Sequence, residues 1–132
     1  QEKSDFHFPL LRLPDIMLIY AEAVNELNAG PDAEAYRQIN RIRTRANATP
    51  FSGMNQDEFR SAVLEERARE LAYEADRRYD LFRWGIYLDV MNAIDMDEHN
   101  VTKRRLERNL LYPIPTSEVN SNDKIDVNNP GW

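Results

Sequence analysis

Residues 65–85 read EERARELAYEADRRYDLFRWG, and the spacing of their apolar and charged members decides the fold. At 3.6 residues per turn, Leu64, Ala68, Leu71 and Ala75 fall on one face of a helix. Phe59, Val63, Glu66, Glu70, Tyr73 and Arg77 fall on nearly the opposite face, so two carboxylates interrupt a partly apolar stripe. If both faces are covered, Glu66 and Glu70 require cationic or hydrogen-bonding partners, because an unpaired buried charge is strongly destabilising. Arg69 and Arg77 stand three or four residues from Glu65, Glu66 or Glu74, and Arg41, Arg43 and Arg45 can reach across from the preceding helix. We expect a structural network of Glu66, Arg67, Arg69, Glu70, Glu74, Arg77, Asp80 and Arg83, a polar core and not a ligand site. The functional alternative is a catalytic carboxylate pair. A carboxylate beside guanidinium groups is a poor general acid, and a glycosidase needs its second carboxylate roughly 5–10 Å away across a cleft. Neighbours along one helix make no cleft.

Working outward, Asn55 caps this helix and Glu58 answers it three residues on, which sets its start at Gln56 and its end near Ala75. Upstream, Ile16, Ile19, Tyr20, Ala23, Val24 and Leu27 recur at helical spacing after Pro14 and Asp15, and Gly30-Pro31 ends the pattern. A second helix starts at Asp32 as N-cap, carries Ala33, Tyr36, Ile39, Ile42 and Ala46 on one side, and stops before Pro50. Residues 14–47 thus form an antiparallel hairpin of about one tetratricopeptide unit of ~34 residues. One such pair cannot bury its apolar faces alone, so further packing partners are expected. Gln1 at the first position and the aperiodic opening QEKSDFHFP lead to the same expectation, a piece of a longer parent with an upstream part. Downstream, Tyr79 to about Ile94 reads as a further helix bent near Gly85, with Asp80 able to cap its start. From Asn109 the Pro, Asn, Asp and Ser content favours extended and turn conformations. This tail, 109–132, is expected to wrap the helices, pinned by Leu111, Tyr112 and Ile114. The fold class is all-α: tetratricopeptide-like helical hairpins, the Glu/Arg-rich helices of 55–94, and an irregular Pro/Asn-rich C-terminal tail.

Composition excludes several chemistries. The 132 residues suit one domain, and a net charge of −6 repels nucleic-acid phosphates. No run of about 18 apolar residues crosses a bilayer. With no cysteine, disulfides, thiolate metal sites and thiol nucleophiles are ruled out. Fourteen arginines stand against three lysines, a bias that suits fixed, partly buried carboxylate pairs. There is no Gly-x-Ser-x-Gly elbow, and His7 and His99 lie in irregular segments. Asp95, Asp97, Glu98 and His99 form the only candidate metal cluster, lacking the pattern of a calcium loop or a zinc helix, and read as a solvated acidic turn. Gly30, Gly53, Gly85 and Gly131 are isolated, so no phosphate cradle forms. No metal and no cofactor is expected. Trp84, Tyr87, Tyr112 and Trp132 are candidate platforms for a sugar ring, whereas the spacing of Tyr79, Phe82 and Trp84 places them in a core. Trp132 is expected to be the most exposed of these, or docked onto the helices.

Five blocks in one order resemble the C-terminal half of the SusD/RagB family. They are Leu18-Ile19-Tyr20-Ala21-Glu22-Ala23, then Ile39-Asn40-Arg41-Ile42-Arg43-Thr44-Arg45-Ala46, then Glu65 to Glu74 continuing into Arg78-Tyr79-Asp80-Leu81-Phe82-Arg83-Trp84-Gly85. Leu111-Tyr112-Pro113-Ile114-Pro115-Thr116-Ser117-Glu118 and Asn128-Asn129-Pro130-Gly131-Trp132 complete the series. The resemblance runs from about Arg12 onward. It departs at Ala75-Asp76, where the family usually has glycine and a further polar or aromatic residue, and at Trp132, where it usually has tyrosine.

The resemblance implies one part of a larger, all-α, tetratricopeptide-based lipoprotein of the outer membrane, exposed at the cell surface and held there by an N-terminal lipid. Its partner would be a SusC-like TonB-dependent transporter, and its ligand a glycan or peptide captured for import, with no catalysis. The lipidated cysteine is absent from these 132 residues, and no ligand-contacting residue is carried over. Two other readings stand beside it. One is a stand-alone tetratricopeptide-like module that binds proteins in an interhelical groove. The other is a small glycan-active enzyme built on the carboxylates of the Glu-rich helix.

Overall fold

The computed structural model describes residues 11–94 and 104–132, and every regular element among them is helical. The chain divides into two compact units, Gln1–Arg77 and Arg78–Trp132.

In the first unit, α1 (Leu13–Leu27), α2 (Ala33–Arg45) and α3 (Gln56–Glu70) pack together, with α1 against both of the others. Asp32 caps α2 by accepting from the Ala35 N–H at 2.8 Å. At α3 the Asn55 side chain accepts from the Glu58 N–H at 3.0 Å, and Glu58 in return accepts from the Asn55 N–H at 2.9 Å, the reciprocal box that its sequence encodes. Met17, Leu18 and Ala21 of α1, Ala35, Ile39 and Ile42 of α2, and Phe59 and Val63 of α3 form the buried core. The rings of Tyr36 and Phe59 meet edge to face, 5.0 Å apart at 74°, a favoured aromatic geometry.

The face of α3 that turns inward is the one carrying carboxylates: Phe59, Val63, Glu66 and Arg67 are buried, while Leu64 and Ala68 are half-buried. The helix also ends at Glu70, about one turn short of the end expected near Ala75. Two causes are visible. Tyr73 and Ala75 adopt left-handed backbone, φ 67° and 69°, which no right-handed helix accommodates. In addition, the guanidinium of Arg12 donates to the Glu70 carbonyl at 2.9 Å, giving a partner to one of the acceptors that a helix C-terminus leaves open.

In the second unit the helix expected over 79–94 is two short ones, α4 (Arg77–Arg83) and α5 (Tyr87–Asn92), separated at Gly85, whose φ is 71°. Asp80 does not cap α4. It lies inside that helix, buried, and accepts from Arg83 Nε at 3.1 Å. Tyr79, expected in a core, is 65% exposed; a two-turn helix covered along Asp80 and Leu81 turns it away from the buried side. Phe82 and Trp84 are half-buried.

The tail is more regular than its composition suggests, with a 3₁₀ turn at Glu107–Leu110 and a short helix α6 (Thr116–Ser121). Leu111 and Tyr112 are exposed. The anchor is polar instead: the Asn128 side chain accepts from the Ile114 N–H at 2.7 Å and donates to the Ile114 carbonyl at 3.0 Å. Asn129 donates to the Tyr112 carbonyl at 2.6 Å. Gly131 sits at φ 87°, and a Cβ there would lie 2.7 Å from Cβ of Arg108, so glycine alone fits this turn. Beyond it the Trp132 indole N–H donates to the Arg108 carbonyl at 2.9 Å.

Candidate functional site

The acidic face of α3 meets basic groups from α2 and from Arg12, the residue that precedes α1. Glu66 is 2.7 Å from Arg43 Nη1 and 3.5 Å from Arg69 Nη1. Its side chain is 5% exposed, and that of Arg43 13%. Arg43 is itself positioned by donating Nε to the Thr49 carbonyl at 2.6 Å and by lying 3.8 Å from the Phe51 ring centroid. Glu70 takes Arg45 at 2.5 Å and Arg12 at 3.2 Å. Arg12 also grips Glu74 through two nitrogens, at 2.6 and 2.9 Å, the forked geometry that favours arginine over lysine. These hydrogen bonds hold the Glu74 carboxyl below its ordinary value, against the opposing effect of burial.

The other members of the predicted network are distributed differently. Arg67 is buried and reaches α1, placing Nη1 2.8 Å from Asp15. Arg69 pairs with Glu65 at 2.5 Å on the exposed side. Arg77 folds back on α3 and donates to the Leu64 carbonyl at 3.2 Å. Asp80 and Arg83 pair with each other in the second unit. The eight residues thus fall into separate groups: Glu66 and Arg69 with Arg43, Glu70 and Glu74 with Arg12 and Arg45, Arg67 with Asp15, Arg77 on the α3 backbone, and Asp80 with Arg83. Arg43 and Arg45 reach α3 from α2, whereas Arg41 is exposed. Arg12 and Asp15 escape sequence reasoning because they lie 58 and 52 residues from their partners. The signal that could have found them is local: a polar pair flanking the Pro14 that opens α1.

Beside this network lies an open hollow of about 890 Å³, lined among others by Arg43, Phe51, Ser61, Glu65, Glu66 and Arg69. Of its carboxylates, Glu65 and Glu66 are engaged by guanidinium groups within 3.5 Å, whereas Glu58 accepts from the Asn55 N–H. A second hollow of about 410 Å³ lies in the second unit, between Phe82, Tyr87 and Leu110, with Asp89 and Glu107 at its edge.

The candidate sugar platforms are all capped by arginine. Arg78 lies 4.5 Å from the Tyr112 ring centroid and 5.6 Å from that of Tyr87, Arg83 lies 4.7 Å from Trp84, and Arg108 lies 5.1 Å from Trp132. Tyr87 is buried and tilts against Phe82 at 4.3 Å. Trp132 keeps 48% of its surface exposed. His7 and the group Asp95, Asp97, Glu98 and His99 lie outside the described residues.

Comparison with known proteins agrees with this architecture. The profile of the SusD family matches residues 1–132. SusD-like protein P25 of Formosa agariphila is 40% identical over 130 residues, covering 93% of this chain and 24% of that protein. The starch-binding protein SusD of Bacteroides thetaiotaomicron is 34% identical over 127 residues, covering 94% and 21% respectively. The crystal structure of a SusD homolog from Bacteroides thetaiotaomicron superposes with a TM-score of 0.78 at 34% identity, over 93% of this chain and 26% of that one. The chain therefore spans about a quarter of the length of these relatives. Because the profile runs along all 132 residues and the helical arrangement is that of a solved homologue, the chain belongs to the SusD family.

Proposed function

We propose that these residues are the packing platform of a non-catalytic nutrient-binding protein, which captures a glycan at the cell surface and passes it to a SusC-like TonB-dependent transporter in the outer membrane. The observation that carries the reading is the 34% identity, along nearly the whole chain, with a protein named for binding starch. On the same reading the full-length protein is a surface-exposed lipoprotein of the outer membrane.

The geometry of the Glu/Arg clusters supports the non-catalytic part. General acid–base work needs a carboxyl group free to exchange a proton with substrate. Glu66 and Glu70 are instead held between helices by Arg43, Arg45, Arg69 and Arg12, an arrangement suited to fixing α3 against α1 and α2. We therefore assign Glu66, Arg67, Arg69, Glu70, Glu74, Arg77, Asp80 and Arg83 to structure.

The test uses the full-length protein. Calorimetric titration with starch-derived and other oligosaccharides should give saturable binding of at least one glycan without turnover. Glu70→Ala removes a side chain that is 7% exposed and leaves Arg12 short of an acceptor, so it should lower stability by about 2 kcal/mol and leave the glycan affinity unchanged. Unchanged stability with lost affinity would reassign Glu70 to the ligand site. Hydrolysis that Glu66→Gln abolishes without unfolding would make the protein an enzyme.

A further inference from the structure

The hollow of the second unit, about 410 Å³, falls within the ~300–1,000 Å³ over which sites for small molecules are built. It opens where α4 ends. Gly85 turns the chain there at φ 71°, and a Cβ added to it would meet no atom within 4 Å. The walls are the rings of Phe82 and Tyr87, tilted by 31° with centroids 4.3 Å apart, and the side chain of Leu110. Arg78 does not line the hollow; its guanidinium lies 5.0 and 5.6 Å from the centroids of the same two rings and braces them by cation–π attraction.

Two further observations point to a ligand. Tyr87 is 6% exposed, yet its hydroxyl makes no hydrogen bond with the described residues, whereas the hydroxyl of a buried tyrosine ordinarily finds a partner. Tyr36 in the first unit shows the ordinary case, accepting from the Met54 N–H at 2.7 Å. At the rim, the carboxylates of Asp89 and Glu107 also make no hydrogen bond or ion pair with the described residues. The first unit, by contrast, pairs its inward acids with arginine. An apolar wall for a C–H face, a phenolic hydroxyl, and two carboxylates that accept from hydroxyl groups are complementary to a pyranose ring. They also select among sugars, because no lysine or arginine lines the hollow and a uronate or sulfate ester would meet only like charge. We propose that this hollow is a glycan subsite for one neutral sugar ring, packed on Phe82, Tyr87 and Leu110 with hydroxyls donated to Asp89 and Glu107. The inference rests on the glycan-binding reading above and adds to it a place and a sugar class.

Carboxylate labelling of the full-length protein tests it. A water-soluble carbodiimide with an amine nucleophile modifies exposed carboxylates, and mass spectrometry gives the rate at each position. Maltoheptaose and neutral manno- and xylo-oligosaccharides are the probes. At saturating concentration at least one of them should slow the labelling of Asp89 and Glu107 at least about threefold, while Asp57, whose side chain is 86% exposed, keeps its rate. An oligogalacturonate and a lysine-rich peptide should protect neither residue. Tyr87→Phe deletes the hydroxyl alone and should raise the half-protecting sugar concentration at least about threefold, the value of one hydrogen bond. Protection by none of the neutral sugars would overturn the inference. If calorimetry still records binding of one of them, the glycan-binding reading stands and only the subsite falls; if it records none, both fall. Slow labelling of Asp89 and Glu107 without sugar would also overturn it, since the hollow would then be closed in the longer protein. Protection by the peptide in place of the sugars would assign the hollow to a basic ligand, and an unchanged half-protecting concentration in Tyr87→Phe would place the sugar away from Tyr87; either result overturns the proposal.

Discussion

In the first unit eight buried apolar side chains close on one another between three helices, and guanidinium–carboxylate pairs tie the rims. In the second, Leu81 and Tyr87 are the buried apolar residues among those described, and side-chain amides supply the ties. Asn92 accepts from the Arg105 N–H at 2.7 Å and donates to its carbonyl at 3.0 Å, and Asn128 treats Ile114 in the same way. An amide side chain offers one donor group and one acceptor, as a peptide unit does, so each of these asparagines pairs with backbone as a neighbouring strand would. The comparison shows two routes to order in one chain. Burial excludes water and is non-directional; amide clamping fixes a segment too rich in proline and polar residues to build a core.

The largest effect should fall on the first route. Phe59 is fully buried at the centre of the three helices, and Phe59→Ala should cost about 3–5 kcal/mol. Urea titration followed by far-UV circular dichroism reports this loss, because α1, α2 and α3 contain most of the helix among the described residues. Tryptophan fluorescence reports the other unit, since Trp84 and Trp132 both lie there. The circular-dichroism midpoint should drop while the fluorescence midpoint moves less. Equal shifts in both signals would dissolve the distinction between the units.

The complementary change is Asn128→Ala. It leaves the N–H and C=O of half-buried Ile114 without their protein partners, a loss of about 1–2 kcal/mol. The fluorescence midpoint should fall and the helical signal of the first unit should stay. Asn128→Asp sharpens the assignment, because a carboxylate keeps the acceptor and loses the donor, and should give an intermediate result.

The two routes also differ in how far the sequence shows them. Periodicity and caps locate α1, α2 and the start of α3, because Ile39, Phe59 and Val63 recur at helical spacing and Asp32 and Asn55 are built to cap. Ion pairing of the Glu-rich face is legible as well, since a carboxylate on a buried face requires a partner. Which arginine serves which acid is not, because Arg12 and Arg67 act across more than fifty residues. In the tail, the asparagine clamps are hidden for another reason: Asn, Asp and Ser mark turns by composition, and nothing local says that Asn128 will find Ile114. Tyr73 and Ala75 carry a smaller surprise, a left-handed backbone in a stretch of good helix formers.

That surprise gives a smaller and opposite effect. Ala75 stands where the resemblance leads one to expect glycine, and its φ of 69° is strained for any residue with a Cβ. Ala75→Gly should raise stability by about 0.5–1 kcal/mol, the relief of a left-handed alanine less the added freedom of glycine in the unfolded chain. A fall in the denaturation midpoint would show that the turn after α3 is not under that strain.

The smallest effect concerns pH and belongs to the arginine route alone. Hydrogen bonds from Arg12 keep the Glu74 carboxyl below its ordinary 4.5 in the folded chain, and Arg60 does the same for Glu26. The unfolded chain therefore binds more protons than the folded one between the lowered and the ordinary values, so stability falls as the pH is lowered through that window and is complete above it. Both sites are partly exposed, and solvent screening keeps the contribution modest. Glu74→Gln should flatten the acid limb of the stability curve and lower stability at pH 7, whereas Asn128→Ala should shift the whole curve without changing its slope. Added salt weakens exposed ion pairs and should bring the wild-type curve towards that of Glu74→Gln. An acid limb that is unchanged in Glu74→Gln would remove the Arg12 fork from the interactions that stabilise the first unit.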